Sequence, residues 1–242
     1  MEGPRFKIYQ TCFAMIIFLG ILIVTLVFIW TKVYLGGFGR SDDPLHHFNY
    51  HPVCAVIGLV IIYGKGILLF RTVSKKQKHI LKWLHTILLL LVFILSVISL
   101  KTVFDSHDKR LVPIPNLYSL HSWIGLGTVI LFSMQLLCGF LSFLYPGIHT
   151  TYRRSYMPYH RFFGITIFVL AVISCHSGIM EKVKGSLGKE YLNLPPAAFV
   201  ANFLGVTITI YAVLVVFLAA MPQFRRMPLS DEDTILELHE TI

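Results

Sequence analysis

The sequence predicts an all-α membrane protein that crosses the bilayer six times. Of its 242 residues, 55% are hydrophobic and only 14% are charged, and the mean hydropathy is +0.71. A soluble domain of this length is far more polar. Runs of about eighteen or more apolar residues, long enough to cross a bilayer, recur along the chain. The six predicted spans lie roughly at 8–34, 50–71, 81–103, 120–145, 159–180 and 197–221.

The distribution of basic residues predicts the orientation of these spans. A formal charge of +9 would suit nucleic acid, but the basic residues cluster in short loops between apolar runs, as they do in membrane proteins. We therefore expect contact with membrane lipid and none with nucleic acid. Segments 71–82 and 153–161 are basic and contain no acidic residue. They are expected on the cytosolic side, which puts both termini in the cytosol.

The boundaries of the spans follow from prolines and short loops. The first run is expected to be an uncleaved anchor. Pro158 fits the first turn of the fifth helix, and Pro195–Pro196 stops the chain before the sixth. Residues 1–222 are predicted to form one six-helix domain, and residues 223–242 a disordered cytosolic tail. Within that tail, 231–236 resembles an acidic dileucine signal for endolysosomal sorting.

Four histidines open four consecutive apolar spans. A histidine in a membrane span is costly unless it has a function. With alternating helix directions, His51 and His121 lie near the outer face, and His85 and His160 lie near the cytosolic face. Each pair joins alternate helices, which can face each other diagonally in a four-helix bundle.

Two imidazoles that face each other across a bundle suit the two axial positions of a haem iron. With both positions filled, no site remains for oxygen or substrate, so such a haem transfers electrons. The sequence thus predicts two haems in a core made by the second to fifth helices. Zinc is the main competing metal, but it requires three or four ligands at one point.

Two other classes of protein compete with this interpretation. A non-redox metal-binding transporter or channel would need helices broken in mid-span, whereas the prolines here are predicted at span ends. A haem subunit of a larger quinone-linked complex is a second redox alternative.

The remaining histidines are weaker candidates. His176 follows His160 by sixteen residues, which puts it on nearly the opposite helix face, and we expect a structural role. His47 is juxtamembrane and can approach the outer pair. His79 and His149, like His239 in the tail, are expected to be solvated.

Five segments resemble the eukaryotic cytochrome b561 family, whose members are transmembrane ascorbate-dependent reductases. The resemblance covers about residues 8–221, and the third segment is the most specific. The segments are Phe48-Asn-Tyr-His-Pro-Val, Lys82-Trp-Leu-His, Asn116-Leu-Tyr-Ser-Leu-His-Ser-Trp, Met157-Pro-Tyr-His and Ser177-Gly-Ile-Met-Glu-Lys.

The resemblance implies six helices, two b haems per chain and, as is usual in the family, a homodimer. It implies that electrons pass from cytosolic ascorbate to an acceptor outside the cell or in a vesicle lumen. That acceptor is ferric iron in the duodenal and lysosomal branches and monodehydroascorbate in the chromaffin-granule branch.

Within the family the sequence is most similar to the duodenal and lysosomal ferric reductases. The resemblance therefore implies a ferric reductase of the late endosome, lysosome or plasma membrane. The alternative is a monodehydroascorbate reductase that regenerates lumenal ascorbate. Two positions depart from the family pattern. Tyr50 stands where Trp is frequent, and Asp108, where Asn is common, adds a carboxylate beside a metal-reduction site.

The resemblance also implies residues that bind ascorbate on the cytosolic side. Ascorbate is an anion near neutral pH, so its site needs positive charge near the inner haem. Lys82 lies three residues before His85 on the same helix face. Lys82 is expected to bind ascorbate and take part in catalysis. The other basic residues assigned to this side are Arg153, Lys78 and Arg154 as ascorbate ligands and Arg71 as a haem-binding residue.

On the outer side, His107 matches the family's outer-loop histidine. It is expected to bind the acceptor and to act in catalysis as a ligand or proton carrier, because its ordinary pKa lies near 6.5. Asn116 and Ser119 approach His121 and are expected to donate hydrogen bonds to haem propionates. Tyr118 lies on the same approach and is expected to bind substrate.

Overall fold

A computed structural model describes residues 4–72 and 78–224. In this part of the chain six helices are long and apolar enough to cross a membrane, and no strand occurs. The predicted all-helical class with six spans is confirmed. The spans, numbered in chain order, are Phe6–Tyr34, Pro44–Arg71, Lys78–Asp108, Leu120–Phe143, Thr150–Asn193 and Pro196–Ala220.

The third, fourth and sixth spans are single α-helices, and the others change helix type along their length. The first span ends in a π-helical turn, and the fifth ends in a 3-10 helix. The second span contains three α-helical pieces and a π-helix. The pieces are Pro4–Ile29 and the π-turn Trp30–Tyr34 in the first span, and Pro44–His47, Tyr50–Ala55, the π-helix Val56–Ile62 and Tyr63–Thr72 in the second. The fifth span consists of Thr150–Leu187 and the 3-10 helix Gly188–Asn193.

The second to fifth spans form a closed ring of four helices. The second packs on the third, the third on the fourth, the fourth on the fifth, and the fifth on the second. The first and sixth spans pack on each other, and the sixth also contacts the second and the fifth. The second and fourth spans therefore face each other diagonally, as do the third and fifth.

One group of fully buried side chains lies between the first, second and sixth spans. Ile23, Val27, Ile208 and Val215 have no solvent-exposed surface. Tyr211 is equally buried, and its hydroxyl donates to the carbonyl of Ile61 at 3.2 Å. In a bilayer such contacts stabilise by close packing and hydrogen bonding, because lipid is as apolar as the helices.

The fifth helix begins nine residues earlier than the predicted span, at Thr150 instead of residue 159. Its first N–H groups are capped by His149, whose Nδ1 accepts from the amide of Thr151 at 3.4 Å. Pro158 lies inside this helix, so its predicted place in the first turn is wrong. Hydropathy locates only the apolar run, whereas the helix extends beyond it into polar sequence. His85 and His160 accordingly open apolar runs from within helices that start earlier.

The described chain ends in a short 3-10 helix, Pro222–Phe224. Phe224 is buried against the rings of Tyr9 and Phe217. The described helical part therefore includes the first two residues of the predicted tail. The rest of that tail, including 231–236 and His239, lies outside the described residues, as do the basic residues Lys75, Lys76, Arg225 and Arg226.

His176 links the fifth span to the sixth by hydrogen bonds. Its Nδ1 lies 2.7 Å from the carbonyl oxygen of Val172, one turn earlier in its own helix. Its Nε2 lies 2.8 Å from Oγ1 of Thr209 and 3.0 Å from the carbonyl oxygen of Gly205. These contacts agree with the structural role expected of a histidine that faces away from the four-histidine core.

Replacing His176 by Ala should therefore weaken the packing of the sixth span without removing haem. Loss of these hydrogen bonds should cost about 1–2 kcal/mol, read as a lower apparent melting temperature of the detergent-solubilised protein. Thr209→Val removes only one partner and should shift the midpoint less. A loss of haem absorbance from the folded His176→Ala protein would contradict a purely structural role.

Candidate functional site

The outer pair of histidines meets across the ring of four helices. The ring centres of His51 and His121 are 6.0 Å apart, with the ring planes at 83°. Nδ1 of His51 lies 3.1 Å from the carbonyl oxygen of Ser99, and Nδ1 of His121 lies 2.9 Å from that of Ser174. Because a carbonyl can only accept, both Nδ1 atoms carry the proton. Each Nε2 then has a free lone pair for a metal ion.

The inner pair has the same arrangement at the other end of the bundle. The ring centres of His85 and His160 are 6.4 Å apart. Nδ1 of His85 lies 3.0 Å from the carbonyl oxygen of Gly66. His160 differs, because its Nδ1 lies 3.0 Å from the side-chain amide of Gln135, which also bonds to the His160 carbonyl at 2.7 Å. The same amide nitrogen makes both contacts and can only donate, so Nδ1 of His160 accepts in this geometry, unlike Nδ1 of His85.

Both separations fit two imidazoles on one iron. A metal–imidazole bond is about 2 Å long and the ring nitrogen lies about 1 Å from the ring centre, so two axial ligands have ring centres about 6 Å apart. Two glycines make room for the rings. A Cβ on Gly178 would lie 2.6 Å from the His121 ring, and one on Gly139 would lie 3.0 Å from the His160 ring.

The donor set does not suit zinc. Among residues 4–72 and 78–224, no group of three or more His, Cys, Asp or Glu side chains converges on one point. A structural or catalytic zinc ion requires at least three such ligands. Two isolated pairs of imidazoles match a metal that brings its remaining ligands with it, as haem does.

The two pairs lie at two fixed levels. On each of the third, fourth and fifth spans, 14 residues separate the histidine from the residue that bonds to a histidine of the other level. On the third span, for example, His85 belongs to the inner pair, and Ser99 bonds to His51 of the outer pair. On the second span the spacing is 15 residues, from His51 to Gly66. The π-helix Val56–Ile62 lies between them, and its wider turns take up the extra residue. At about 1.5 Å per residue, the levels are about 20 Å apart.

A cavity of about 310 Å³ opens beside the inner pair. Its lining residues are His79, Lys82, Trp83, Phe143, Leu144, Tyr145, Pro146, Gly147, Ile148 and Arg153. Lys82 Nζ donates to the carbonyl of Phe143 at 2.8 Å, and Arg153 donates to Thr150 Oγ1 at 3.1 Å. The ring of Phe143 lies 5.1 Å from that of His160. One side chain therefore separates the cavity from the inner histidines.

The structure brings together only two of the five basic residues predicted for this side. Lys82 and Arg153 line the cavity, whereas Lys78 and Arg154 are not among its lining residues. The guanidinium of Arg71 donates to the carbonyls of Met221, at 2.8 Å, and of Ala219, which end the sixth span. Its assignment to haem stays a prediction.

His79, which was expected to be solvated, is exposed and also lines this cavity. It precedes Lys82 by three residues on the same helix, so the two share a helix face. That spacing was the available signal in the sequence. The aromatic residues Trp83 and Tyr145, which also line the cavity, carried no such signal.

On the outer side, hydrogen bonds link the predicted loop residues. His107 Nδ1 lies 3.1 Å from Oδ1 of Asn116, whose Nδ2 donates to Asp108 at 2.9 Å. The ring of Tyr118 lies 6.4 Å from that of His107. Ser119 caps the fourth span, where its Oγ accepts from the amide of Ser122 at 3.3 Å.

The acidic partner in this cluster, Glu181, was not predicted from the sequence. The hydroxyl of Tyr118 donates to Glu181 at 2.5 Å, and this bond raises the pKa of Tyr118 to about 12. Glu181 is the fifth residue of the Ser177–Lys182 segment, so the family resemblance identified the segment but not this contact. Nε2 of His47, the juxtamembrane histidine expected to approach the outer pair, lies 3.9 Å from Oδ2 of Asp105.

Comparison with known proteins agrees with this arrangement. The family model for eukaryotic cytochrome b561 matches residues 50–184, which include all four histidines. The lysosomal membrane ascorbate-dependent ferrireductase CYB561A3 of Danio rerio is 38% identical over 235 residues, 94% of each chain.

Two mammalian relatives named transmembrane ascorbate-dependent reductase CYB561 are similar along nearly the whole chain. The Homo sapiens protein is 33% identical over 241 residues, 97% of this chain and 94% of its own. The Mus musculus protein is 34% identical over 217 residues, 90% of this chain and 85% of its own. The chain therefore belongs to the eukaryotic cytochrome b561 family.

Proposed function

We propose that this protein is a transmembrane ascorbate-dependent reductase that moves single electrons through two b haems to ferric iron on the opposite side. The family is one of b-type haem proteins, and the relatives are named as ascorbate-dependent reductases. The observation that carries the proposal is the pair of facing histidines at each of two levels, with ring centres 6.0 and 6.4 Å apart. A haem held by two imidazoles supplies reversible one-electron chemistry and no open coordination site.

Ascorbate is proposed to bind in the cavity lined by Lys82 and Arg153. Both side chains keep unused N–H donors after bonding to Phe143 and Thr150. Two cations in one cavity attract an anion and orient its oxygen atoms. When ascorbate gives up one electron it also releases a proton, and His79 in the same cavity provides an imidazole that can accept it.

Ferric iron is proposed as the acceptor at the outer cluster. Asp108, Asn116, Tyr118 and Glu181 offer oxygen atoms beside the imidazole of His107. Carboxylate and carbonyl oxygens suit hard cations. The relative with 38% identity is named as a ferrireductase, which favours iron over monodehydroascorbate.

The proposed setting is a multi-pass membrane protein with both termini in the cytosol. The basic segments 71–82 and 153–161 support this orientation. The name of the Danio rerio relative favours a lysosomal membrane, with late endosome and plasma membrane as the other candidates. A homodimer is proposed from the family resemblance alone.

The first prediction concerns the number of haems and their ligands. Wild-type protein should contain two haems per chain in a pyridine haemochrome assay. His51→Ala and His121→Ala should each remove the outer haem, and His85→Ala and His160→Ala should each remove the inner one. Two residues of one pair should affect the same component of the reduced-minus-oxidised spectrum.

His176→Ala is the control for this series, since it changes a membrane histidine outside both pairs and should retain two haems. The pairing is wrong if His51→Ala and His160→Ala remove the same spectral component.

The second prediction concerns ascorbate. Lys82→Gln combined with Arg153→Gln should raise the ascorbate concentration for half-maximal haem reduction about tenfold or more, because positive charge is lost. The difference from wild type should shrink at high salt, where charges are screened. Reduction by dithionite needs no binding site and should not change.

A matched control replaces Lys184, an exposed lysine at the opposite end of the bundle, by Gln. In oriented vesicles, ascorbate on the cytosolic face should reduce the haems. Reduction only from the other face would reverse the proposed direction.

The third prediction separates the acceptor site from the donor site. His107→Ala should slow reoxidation of the haems by an outer ferric chelate several-fold, and reduction by cytosolic ascorbate should stay normal. Monodehydroascorbate, generated by ascorbate oxidase on the outer side, provides the comparison. Faster reoxidation by monodehydroascorbate than by the ferric chelate in wild type would favour the alternative function.

A further inference from the structure

Two cations at the outer end of the bundle lie within electrostatic range of each other, and among the described residues neither has a carboxylate partner within 4.0 Å. The first is Lys182, a half-buried residue on the fifth span. Its Nζ lies 4.3 Å above the centre of the Phe48 ring, and that ring lies 5.6 Å from the ring of His51. The ammonium group is thus separated from the outer histidine by one aromatic ring. A cation–π contact alone compensates little of the hydration that such an ammonium loses.

The second cation is Arg110, in the loop after the third span. Its Nε is buried and has no hydrogen-bond partner among the described residues. Its guanidinium lies within electrostatic range of His107, Tyr118 and Lys182. Like charges held together and partly buried are unfavourable unless an anion lies between them.

The acidic side chains nearby are engaged elsewhere. Glu181 accepts from the hydroxyl of Tyr118, and Asp108 accepts from the side-chain amide of Asn116. The ion pairs within the described ranges involve Asp43 and Asp105 only, so neither Arg110 nor Lys182 is paired within 4.0 Å. The two cations therefore retain the capacity to bind carboxylate from another molecule.

We propose that Arg110 and Lys182 form a two-cation receptor for carboxylate groups, occupied by the propionates of the outer haem. The proposal rests on the assignment of His51 and His121 as the ligands of that haem. A guanidinium offers a planar fork for a carboxylate, and an ammonium offers a compact charge. A soluble carboxylate from the outer solution, such as the citrate of a ferric chelate, has the same chemistry and is the second possible source.

The positions of Arg110 and Lys182 are consistent with the haem propionates as the source of the carboxylate groups. The outer pair lies on the second and fourth spans, and a planar ring held between them must extend its edges toward the neighbouring third and fifth spans. Arg110 follows the third span and Lys182 lies on the fifth. Propionates desolvated next to apolar helices need opposite charge to remain ionised.

The test uses the full chain with both haems in detergent or nanodiscs. Lys182→Met and Arg110→Gln should each speed transfer of the outer haem to excess apomyoglobin at least tenfold, and leave the inner haem unaffected. Lys182→Arg and Arg110→Lys keep the charge and should restore most of the retention. Lys184→Met is the matched control, because it removes an exposed lysine two residues away.

Loading with haem dimethyl ester identifies the group that binds. The ester has no propionate charge, so apoprotein of wild type and of both variants should bind it equally at the outer site. A different result would identify the soluble carboxylate as the occupant. In that case both variants retain haem as wild type does, the KM for ferric citrate rises, and the KM for a ferric complex without carboxylate groups does not change.

The proposal is overturned if neither haem retention nor the KM for ferric citrate changes in either variant. A wild-type protein that never holds an outer haem gives a different result. That result would overturn the assignment of His51 and His121, whatever Arg110 and Lys182 do.

Discussion

The hydrogen bond between a membrane histidine and the neighbouring helix is the interaction on which the rest of the structure depends. An imidazole inside the bundle has two nitrogens, and one N–H must be satisfied for the other nitrogen to remain a metal ligand. His51, His85 and His121 each place Nδ1 against a carbonyl of the adjacent span. Each of the second to fifth spans therefore both carries a histidine and bonds to the histidine of a neighbour, so the proposed haem ligands are held by contacts that also join the helices.

Position along the spans was predictable from sequence, because hydropathy and alternating helix directions fix depth. This reasoning correctly sorted the four histidines into two facing pairs. Contacts between side chains were not predictable in the same way. The bond from Gln135 to His160 joins residues that lie on different spans. Nothing in an apolar run tells which neighbouring helix a polar residue within it will face.

The ends of the helices were the other feature that could not be predicted from the sequence. The sequence predicted that Arg71 lies at the cytosolic end of the second span. It did not predict that the Arg71 guanidinium donates to carbonyls at the end of the sixth span. Pro158 was expected at a helix start, since its missing N–H is tolerated there. The helix extends past the apolar run instead, and Pro158 lies in its interior. The preference of proline for the start of a helix is overridden here by the packing of the four helices.

The two ends of the bundle differ in charge, which suits their different proposed partners. The inner cavity has basic residues and no acidic one among its lining residues. The outer cluster mixes Asp108 and Glu181 with Arg110 and Lys182. An anion is attracted to the first end, whereas a metal chelate, with a cation wrapped in anionic groups, meets both signs at the second. This asymmetry is consistent with the proposed donor at the first end and the proposed acceptor at the second.

The π-helix in the second span has a consequence for how the protein can vary. The same helix carries His51 and the carbonyl that holds His85, and the π-helical segment Val56–Ile62 lies between them. Deleting one residue there would turn one end relative to the other by about 100°, so one of the two would leave the bundle interior. A change in the length of this segment would therefore disrupt one of the two sites, although the segment contains no proposed haem ligand. On this span, the spacing between the two histidine levels therefore depends on a stretch of apolar side chains that take no part in the proposed chemistry.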